Sequence, residues 1–262
     1  MESYKELVRT VLAKGVRRAN RTGIDGVGIF NIAFRHDMSK GLPILTTKKI
    51  NVNACIHELL WFLKGGTNIK YLTDNNVHIW DAWADENGDL GPVYGKQWVS
   101  SGPKQINQVQ KVEDTLKTNP YDRRLIIDAW NPSDLEDMAL PPCHILYQFY
   151  ADPVKKELSL SVYQRSADLF LGVPFDIAEG GLFVSMMAKV IGYTPKELIY
   201  TFGDTHIYIN HLEQINKQLD REPFTLPTLE LPEKSSVFDY TFEDFKINNY
   251  QHHSFLKGSV AV

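Results

Sequence analysis

Ile145-Leu146-Tyr147-Gln148-Phe149-Tyr150-Ala151-Asp152-Pro153-Val154-Lys155-Lys156-Glu157-Leu158-Ser159-Leu160-Ser161-Val162-Tyr163 reads as two strands and the turn between them. Leu158, Leu160 and Val162 alternate with Ser159, Ser161 and Tyr163, the period of a strand with one face on a core. Residues 145–150 are rich in β-branched and aromatic side chains. Asp152-Pro153-Val154-Lys155-Lys156 carries the turn formers that would fold the two runs into an antiparallel pair. Further strand-like runs lie at 28–34, 125–130 and 198–202. Helical spacing predicts two apolar helices. One is built on Val52, Ile56, Leu59, Leu60 and Leu63 and stops at Gly65-Gly66. The other is built on Ile177, Leu182, Phe183, Met186, Met187, Val190 and Ile191 and ends near Gly192. The elements do not alternate regularly, so the expected class is α+β, one large mixed sheet flanked by helices.

With 262 residues, no internal repeat and no linker-like tract, the chain is expected to be a single domain over 1–262. A net charge of -4 provides no global basic field, which argues against a long nucleic-acid ligand but leaves a small phosphorylated one open. Cys55 and Cys143 are the only cysteines, too few for a disulfide framework and without zinc-ligand spacing, so no metal is expected. The opening Met1-Glu2-Ser3-Tyr4-Lys5 has no apolar signal region, and no apolar run is long enough for a membrane span. A reducing cytoplasm and a free Cys143 thiol are the expectation.

The chemistry concentrates around Leu140-Pro141-Pro142-Cys143-His144 and Gln164-Arg165-Ser166-Ala167-Asp168. A rigid backbone aims a thiol, and nearby guanidinium groups favour its ionised form, which suggests covalent catalysis on a small anion. Arg21, Arg123, Arg124 and Arg165 read either as solvated surface charges or, with Ser166, as a phosphate pocket. Glu58, set among Leu59, Leu60, Trp61 and Phe62, reads either as an edge carboxylate facing water or as a proton-transfer group raised by apolar neighbours. Trp80, Trp83, Tyr94 and Trp98 could stack on a planar ligand or simply pack a core. In the stretch from Gly203 to His211, which follows a strand, His206 and Tyr208 could hold sugar hydroxyls or cap the next helix.

Together these segments resemble the thymidylate synthase family. The likeness runs through Arg21-Thr22-Gly23, Pro43-Ile44-Leu45-Thr46-Thr47-Lys48 and His57-Glu58-Leu59-Leu60-Trp61-Phe62-Leu63. It continues through Trp80 to Trp98, Arg123-Arg124, Pro142-Cys143-His144, Gln164-Arg165-Ser166, Phe170 to Phe175, Gly203-Asp204-Thr205-His206 and Phe238-Asp239-Tyr240. The resemblance implies a homodimer, with a sheet face at its interface, that adds a one-carbon unit to pyrimidine C5 using 5,10-methylenetetrahydrofolate. It implies that Cys143 attacks C6, and that Arg21, Arg165 and Ser166 hold the 5′-phosphate with Arg123 and Arg124 of the other subunit. His206 and Tyr208 would bind the 3′-hydroxyl, and Gln164 would join the nucleotide site. Glu58 would move protons, with Tyr94 also among the catalytic residues. Trp80, Asp168, Leu171, Gly172 and the C-terminal Val262 would surround the folate.

One position departs from the pattern. Where the family's segment has asparagine, this chain reads Leu171-Gly172-Val173-Pro174-Phe175-Asp176-Ile177-Ala178. An asparagine amide donates to uracil O4 and accepts from N3–H, whereas cytosine presents the reverse pattern. A protonated Asp176 can donate to cytosine N3 while its other oxygen accepts from the N4 amino group. An ionised Asp176 does the equivalent if N3 carries the proton. Against uracil, an oxygen would face O4, a mispairing that buried polar groups reject strongly. Aspartate here is the mark of the family's deoxycytidylate hydroxymethylase branch, in which water completes the product. Glu179-Gly180-Gly181 replaces the usual Ser-Tyr-Ala, and loss of the tyrosine is expected to open or rewet the pocket. The leading expectation is therefore a dCMP 5-hydroxymethylase, with CMP as a variant substrate. A dUMP-methylating synthase that tolerates Asp176 is the second reading, and a non-catalytic folate- or RNA-binding relative the third.

Overall fold

A computed structural model describes residues 2–260; the expected folate contact Val262 and its neighbour Ala261 lie outside the described residues. The hairpin forms as expected. Strand β4 (His144–Asp152) pairs antiparallel with β5 (Glu157–Asp168), and Asp152 faces Glu157 across the turn. Asp152 Oδ1 closes that turn by accepting the backbone N–H groups of Val154 at 3.1 Å and Lys155 at 3.0 Å.

The main sheet has six strands in the order β1 (Val16–Arg18), β2 (Gly26–Asp37), β6 (Thr194–Tyr208), β5, β4 and β3 (Ile126–Asp128). Every pair is antiparallel except β5 with β6, which makes the sheet mixed. A parallel pair needs a long crossover. Helix α6 (Gly172–Val190) supplies it and covers the inner face of β5 and β6. Helix α2 (Val52–Leu63) packs on α6, and α1 (Glu2–Lys14) packs on β2. Helices α3 (Lys70–Asp74), α4 (Tyr94–Val99), α5 (Gln108–Thr118) and α7 (Leu212–Leu219) complete the flanks. A small pair, β7 (Thr228–Glu230) with β8 (Lys246–Asn248), stands apart.

The two apolar helices are buried because their stripes face each other and the sheet. Leu59, Phe62, Ile177, Leu182, Val184, Met186 and Met187 have no exposed surface. Gly65 takes φ of +71°, the left-handed conformation that ends α2, and Gly192 does the same beyond α6. Two expectations need correction. Strand 198–202 extends to Thr194–Tyr208, so His206 and Tyr208 lie within β6; Tyr208 stands at the N-cap of the 3-10 turn Ile209–His211, but its side chain makes no capping hydrogen bond. Strand 125–130 shrinks to Ile126–Asp128, because the Asp128 carboxylate accepts the Trp130 N–H at 2.8 Å and turns the chain.

Candidate active site

The ends of β1, β2, β5 and β6 surround a cavity of about 620 Å³ beside the segment that carries Cys143. Arg21, Arg165 and Ser166 line it with the thiol, and His206 and Tyr208 line the wall formed by β6. The cationic groups and the Cys143 thiol are thus brought together from positions far apart in the chain. Gly26 and Gly28 pair with Tyr208 and His206, and a Cβ on Gly28 would come within 2.8 Å of the Thr205 carbonyl, so only glycine leaves this wall clear.

Arg165 has a second task. Its Nε donates to the Pro142 carbonyl at 2.7 Å and its Nη2 to the Pro141 carbonyl at 2.8 Å, while its guanidinium lies 5.4 Å from the Trp130 ring centroid. The Arg165 N–H donates to the Cys143 carbonyl at 2.7 Å, and the Tyr94 hydroxyl accepts the Cys143 N–H at 2.6 Å. The Cys143 backbone is therefore clamped from both sides, by the Arg165 N–H and the Tyr94 hydroxyl.

The electrostatics correct one expectation. Burial pushes the Cys143 thiol up, more than Arg165 pulls it down; Asp176 raises it again and Arg21 lowers it. The arginines act in the expected sense, and burial outweighs them.

A cluster of polar side chains, Asp176, Gln164 and His144, lies close enough to Cys143 for the Asp176 charge to act on its thiol. Asp176 on α6 accepts the Gln164 amide at 2.7 Å through Oδ2, and the same amide nitrogen donates to the Ser166 carbonyl at 3.0 Å. Gln164 Oε1 is buried with no hydrogen-bond partner in the protein. Burial raises the Asp176 carboxyl to about 6 despite the Gln164 donor, and the charge of Asp168 adds to the rise. His144 Nε2 stands 3.7 Å from Asp176 Oδ1. Burial lowers the imidazole to about 3, so it is neutral and the contact is not an ion pair. Its Nδ1 meets the Tyr147 hydroxyl, and Tyr94 stacks on the ring with centroids 4.5 Å apart.

Glu58 faces inward, not towards water as an edge carboxylate would. Trp80 Nε1 donates to Glu58 Oε1 at 2.7 Å. Burial raises the Glu58 carboxyl to about 7, the indole N–H opposes this, and the Asp176 charge adds to it. Trp80 itself is 6% exposed, wedged among Trp61, Trp83 and Tyr94. Trp83, given no separate role by the sequence, lines the cavity, as do Trp130, Arg18 and Asp204. Arg18 lies in a segment with no recognisable period, so nothing in the sequence marks it.

Arg123 and Arg124 are not at this cavity. Both are exposed beside β3, and Arg124 is paired with Asp122 at 2.7 Å. The expected opening after Asp176 is also absent. A Cβ on Gly180 would sit 2.6 Å from the Tyr200 hydroxyl, and one on Gly181 2.7 Å from Pro43 Cδ. The space a tyrosine side chain would need is filled by Tyr200, whose hydroxyl donates to the Asp176 carbonyl at 2.5 Å. Among the described residues, no three His, Cys, Asp or Glu side chains are grouped so as to hold a metal ion, and no helix is long and apolar enough to cross a membrane.

The thymidylate synthase family model matches residues 2–262. The chain belongs to the thymidylate synthase family. Membership makes it a transferase that moves a one-carbon unit to C5 of a pyrimidine nucleotide, with methylenetetrahydrofolate as co-substrate. The residues present fit that co-substrate. Trp80 and Trp83 meet edge to face at 5.9 Å, an aromatic corner for a flat heterocycle. Asp168, at the end of β5, offers a carboxylate; it accepts the Phe170 N–H at 2.9 Å through Oδ1. Leu171 and Gly172 follow directly, leading into α6.

Proposed function

We propose that this chain hydroxymethylates dCMP at C5. The observation that carries the reading is Asp176, a largely buried carboxyl, 15% exposed, raised to about 6 and held in place by Gln164. Near neutrality such a group exchanges a proton within about 1.4 kcal/mol per unit of pH, so either protonated form that matches cytosine is within reach. Facing uracil, the ionised carboxylate would leave an oxygen against O4, whereas the protonated form could donate there, so discrimination against uracil rests on the ionised form. The unpartnered Gln164 Oε1 supports the same view, since a buried acceptor beside Asp176 is a place for a donor such as an exocyclic amine.

In this reading Arg21, Arg165 and Ser166 hold the 5′-phosphate, and His206 and Tyr208 hold the 3′-hydroxyl. Arg123 and Arg124 complete the phosphate site of a second subunit, which their exposure and their distance from their own cavity support. Arg165 and Arg21 oppose the burial that raises Cys143, and the thiol gives up its proton to solvent before the sulfur reacts. The sulfur then adds to C6 and makes C5 nucleophilic. Bound against Trp80, Asp168, Leu171 and Gly172, the folate supplies the one-carbon unit. Glu58, raised to about 7, is poised to exchange protons at the base. The setting is a homodimer in the cytoplasm.

A second reading, dUMP methylation, draws support from Trp80. Its indole is almost fully buried and tied to Glu58, which limits the room for water. One assay separates the two. The enzyme is incubated with methylenetetrahydrofolate and dCMP, CMP or dUMP, while dihydrofolate absorbance and nucleotide mass are followed. Hydroxymethylation adds a hydroxymethyl group without dihydrofolate. Turnover of dUMP alone, with dihydrofolate accumulating, would sink the proposal. Asp176→Asn should move preference from cytosine towards uracil by tenfold or more, about 1.4 kcal/mol or above.

A further inference from the structure

Asp204 and His206 stand two residues apart on β6, so their side chains emerge on the same face, and both line the cavity. The imidazole Nδ1 lies 3.2 Å from Asp204 Oδ1 and 3.3 Å from the Asp204 backbone carbonyl oxygen. A carboxylate and a carbonyl can only accept, so the proton of the neutral ring sits on Nδ1. Nε2 is then left with its lone pair, and among the described residues it has no hydrogen-bond partner. The carboxylate is held in its turn. Arg18 Nη1, at the end of β1, lies 3.4 Å from Asp204 Oδ2, which leaves Oδ1 for the imidazole. The side chains of Arg18 and Asp204 are 68% and 51% exposed, so this ion pair contributes little to stability. Its effect is on direction: it occupies one carboxylate oxygen while the other meets His206. The Tyr208 ring packs edge to face on the imidazole with centroids 5.0 Å apart.

We propose that Asp204 is a positioning residue that holds the His206 proton on Nδ1, so that Nε2 presents an acceptor to the cavity and selects a nucleotide whose sugar offers a hydroxyl proton. A sugar carbon without a hydroxyl leaves that acceptor unpaired, and a phosphate ester there offers it only oxygens. The sugar part rests on the reading that His206 lies at the 3′-hydroxyl; the tautomer does not.

Two measurements test this. Nitrogen NMR of isotope-labelled enzyme without substrate reads the tautomer, with the His206 signals assigned by their loss in His206→Ala. At a pH where the imidazole is neutral, Nδ1 should carry the proton and Nε2 should not. Asp204→Ala removes the charged acceptor and leaves only the carbonyl contact, so the share of the Nε2–H form should rise about tenfold. Asp204→Asn keeps an acceptor oxygen, with the exposed Arg18 free to turn away, and should hold the proton on Nδ1. A wild-type ring protonated at Nε2, or an unmoved tautomer in the alanine variant, overturns the proposal. The second measurement is kcat/KM for the nucleotide against its 2′,3′-dideoxy analogue, run with whichever base the enzyme turns over. The preference for the hydroxyl should fall about tenfold in Asp204→Ala and be kept in Asp204→Asn. An unchanged preference in the alanine variant, or an equal loss in the asparagine variant, overturns the proposal as well. A preference that survives His206→Ala would sink the sugar-site reading and the selection with it, while the tautomer of the resting enzyme still judges Asp204.

Discussion

At the scale of single residues, three carboxyls share one unfriendly environment. Asp176, Glu58 and Glu179 are all raised, chiefly by burial. For Asp176 the folded protein holds the proton up to about 6, against an ordinary value of 3.8. The favourable contribution of its protonated form is therefore full below about pH 4 and is lost as pH rises through about 6. Asp176→Asn cannot titrate and escapes this loss. Relative to wild type, the variant should gain up to about 3 kcal/mol between pH 4 and pH 8, two units at about 1.4 kcal/mol each. Thermal melts across that range measure it, and parallel curves for the two proteins would contradict the buried, raised carboxyl. Part of the cavity lining was legible in the sequence: Cys143, Arg165, Ser166 and Arg21 line it, while Glu58 and Asp176 do not. Their protonation was not. A thiol beside arginines reads as a thiolate until the packing around it is known, and here burial outweighs the guanidinium groups.

At the scale of elements, α6 and β6 make the site by how closely they approach. Gly180 lets the Tyr200 ring lie against the helix and its hydroxyl reach the Asp176 carbonyl at 2.5 Å. Gly180→Ala should cost about 1–3 kcal/mol through overpacking against that hydroxyl. Tyr200→Phe should cost about 1 kcal/mol through the lost hydrogen bond. The double variant should lose clearly less than the sum, because removing the hydroxyl frees room for the new methyl. Urea denaturation of the set reads this coupling; strict additivity would mean the clash lies elsewhere. Strand periodicity found the middle of β6 but not its end. Asp204, His206 and Tyr208 alternate with Thr205 and Ile207, but they line a polar cavity and so break the apolar pattern that marks a strand. The short helices α3 and α4 were unreadable for a related reason, being held by tertiary contacts more than by a stripe of their own.

At the scale of the whole molecule, one face of the main sheet carries the helices and the other is bare. By register Ile126 pairs with Gln148, two residues from Tyr150, and Tyr163 pairs with Leu146, so these aromatic and aliphatic groups share the outer face. Tyr150 is 74% exposed and Tyr163 37%. With Arg123 and Arg124 exposed outside their own cavity, this is the geometry a two-fold dimer with shared sites would use. A complementation experiment tests it. Cys143→Ala has no nucleophile but intact arginines, and Arg123→Ala/Arg124→Ala has the reverse. Each alone should be nearly inactive. After mixing and subunit exchange, about a quarter of wild-type activity should return, since half the dimers are mixed and each has one complete site. No recovery would mean that each chain supplies its whole site.

The sequence by itself determined the hairpin read at 145–163, the two apolar helices, and the residue types at Cys143, Arg21, Arg165, Ser166 and Asp176. Those are matters of local periodicity and residue type. Only the tertiary structure decided that Arg165 clamps the proline carbonyls before Cys143, and that Tyr200 fills the space beside Gly180. It also decided which of the acids keep their protons. The reason is physical: charge in a protein is set by burial and by neighbours from other elements, and neither can be read along the chain.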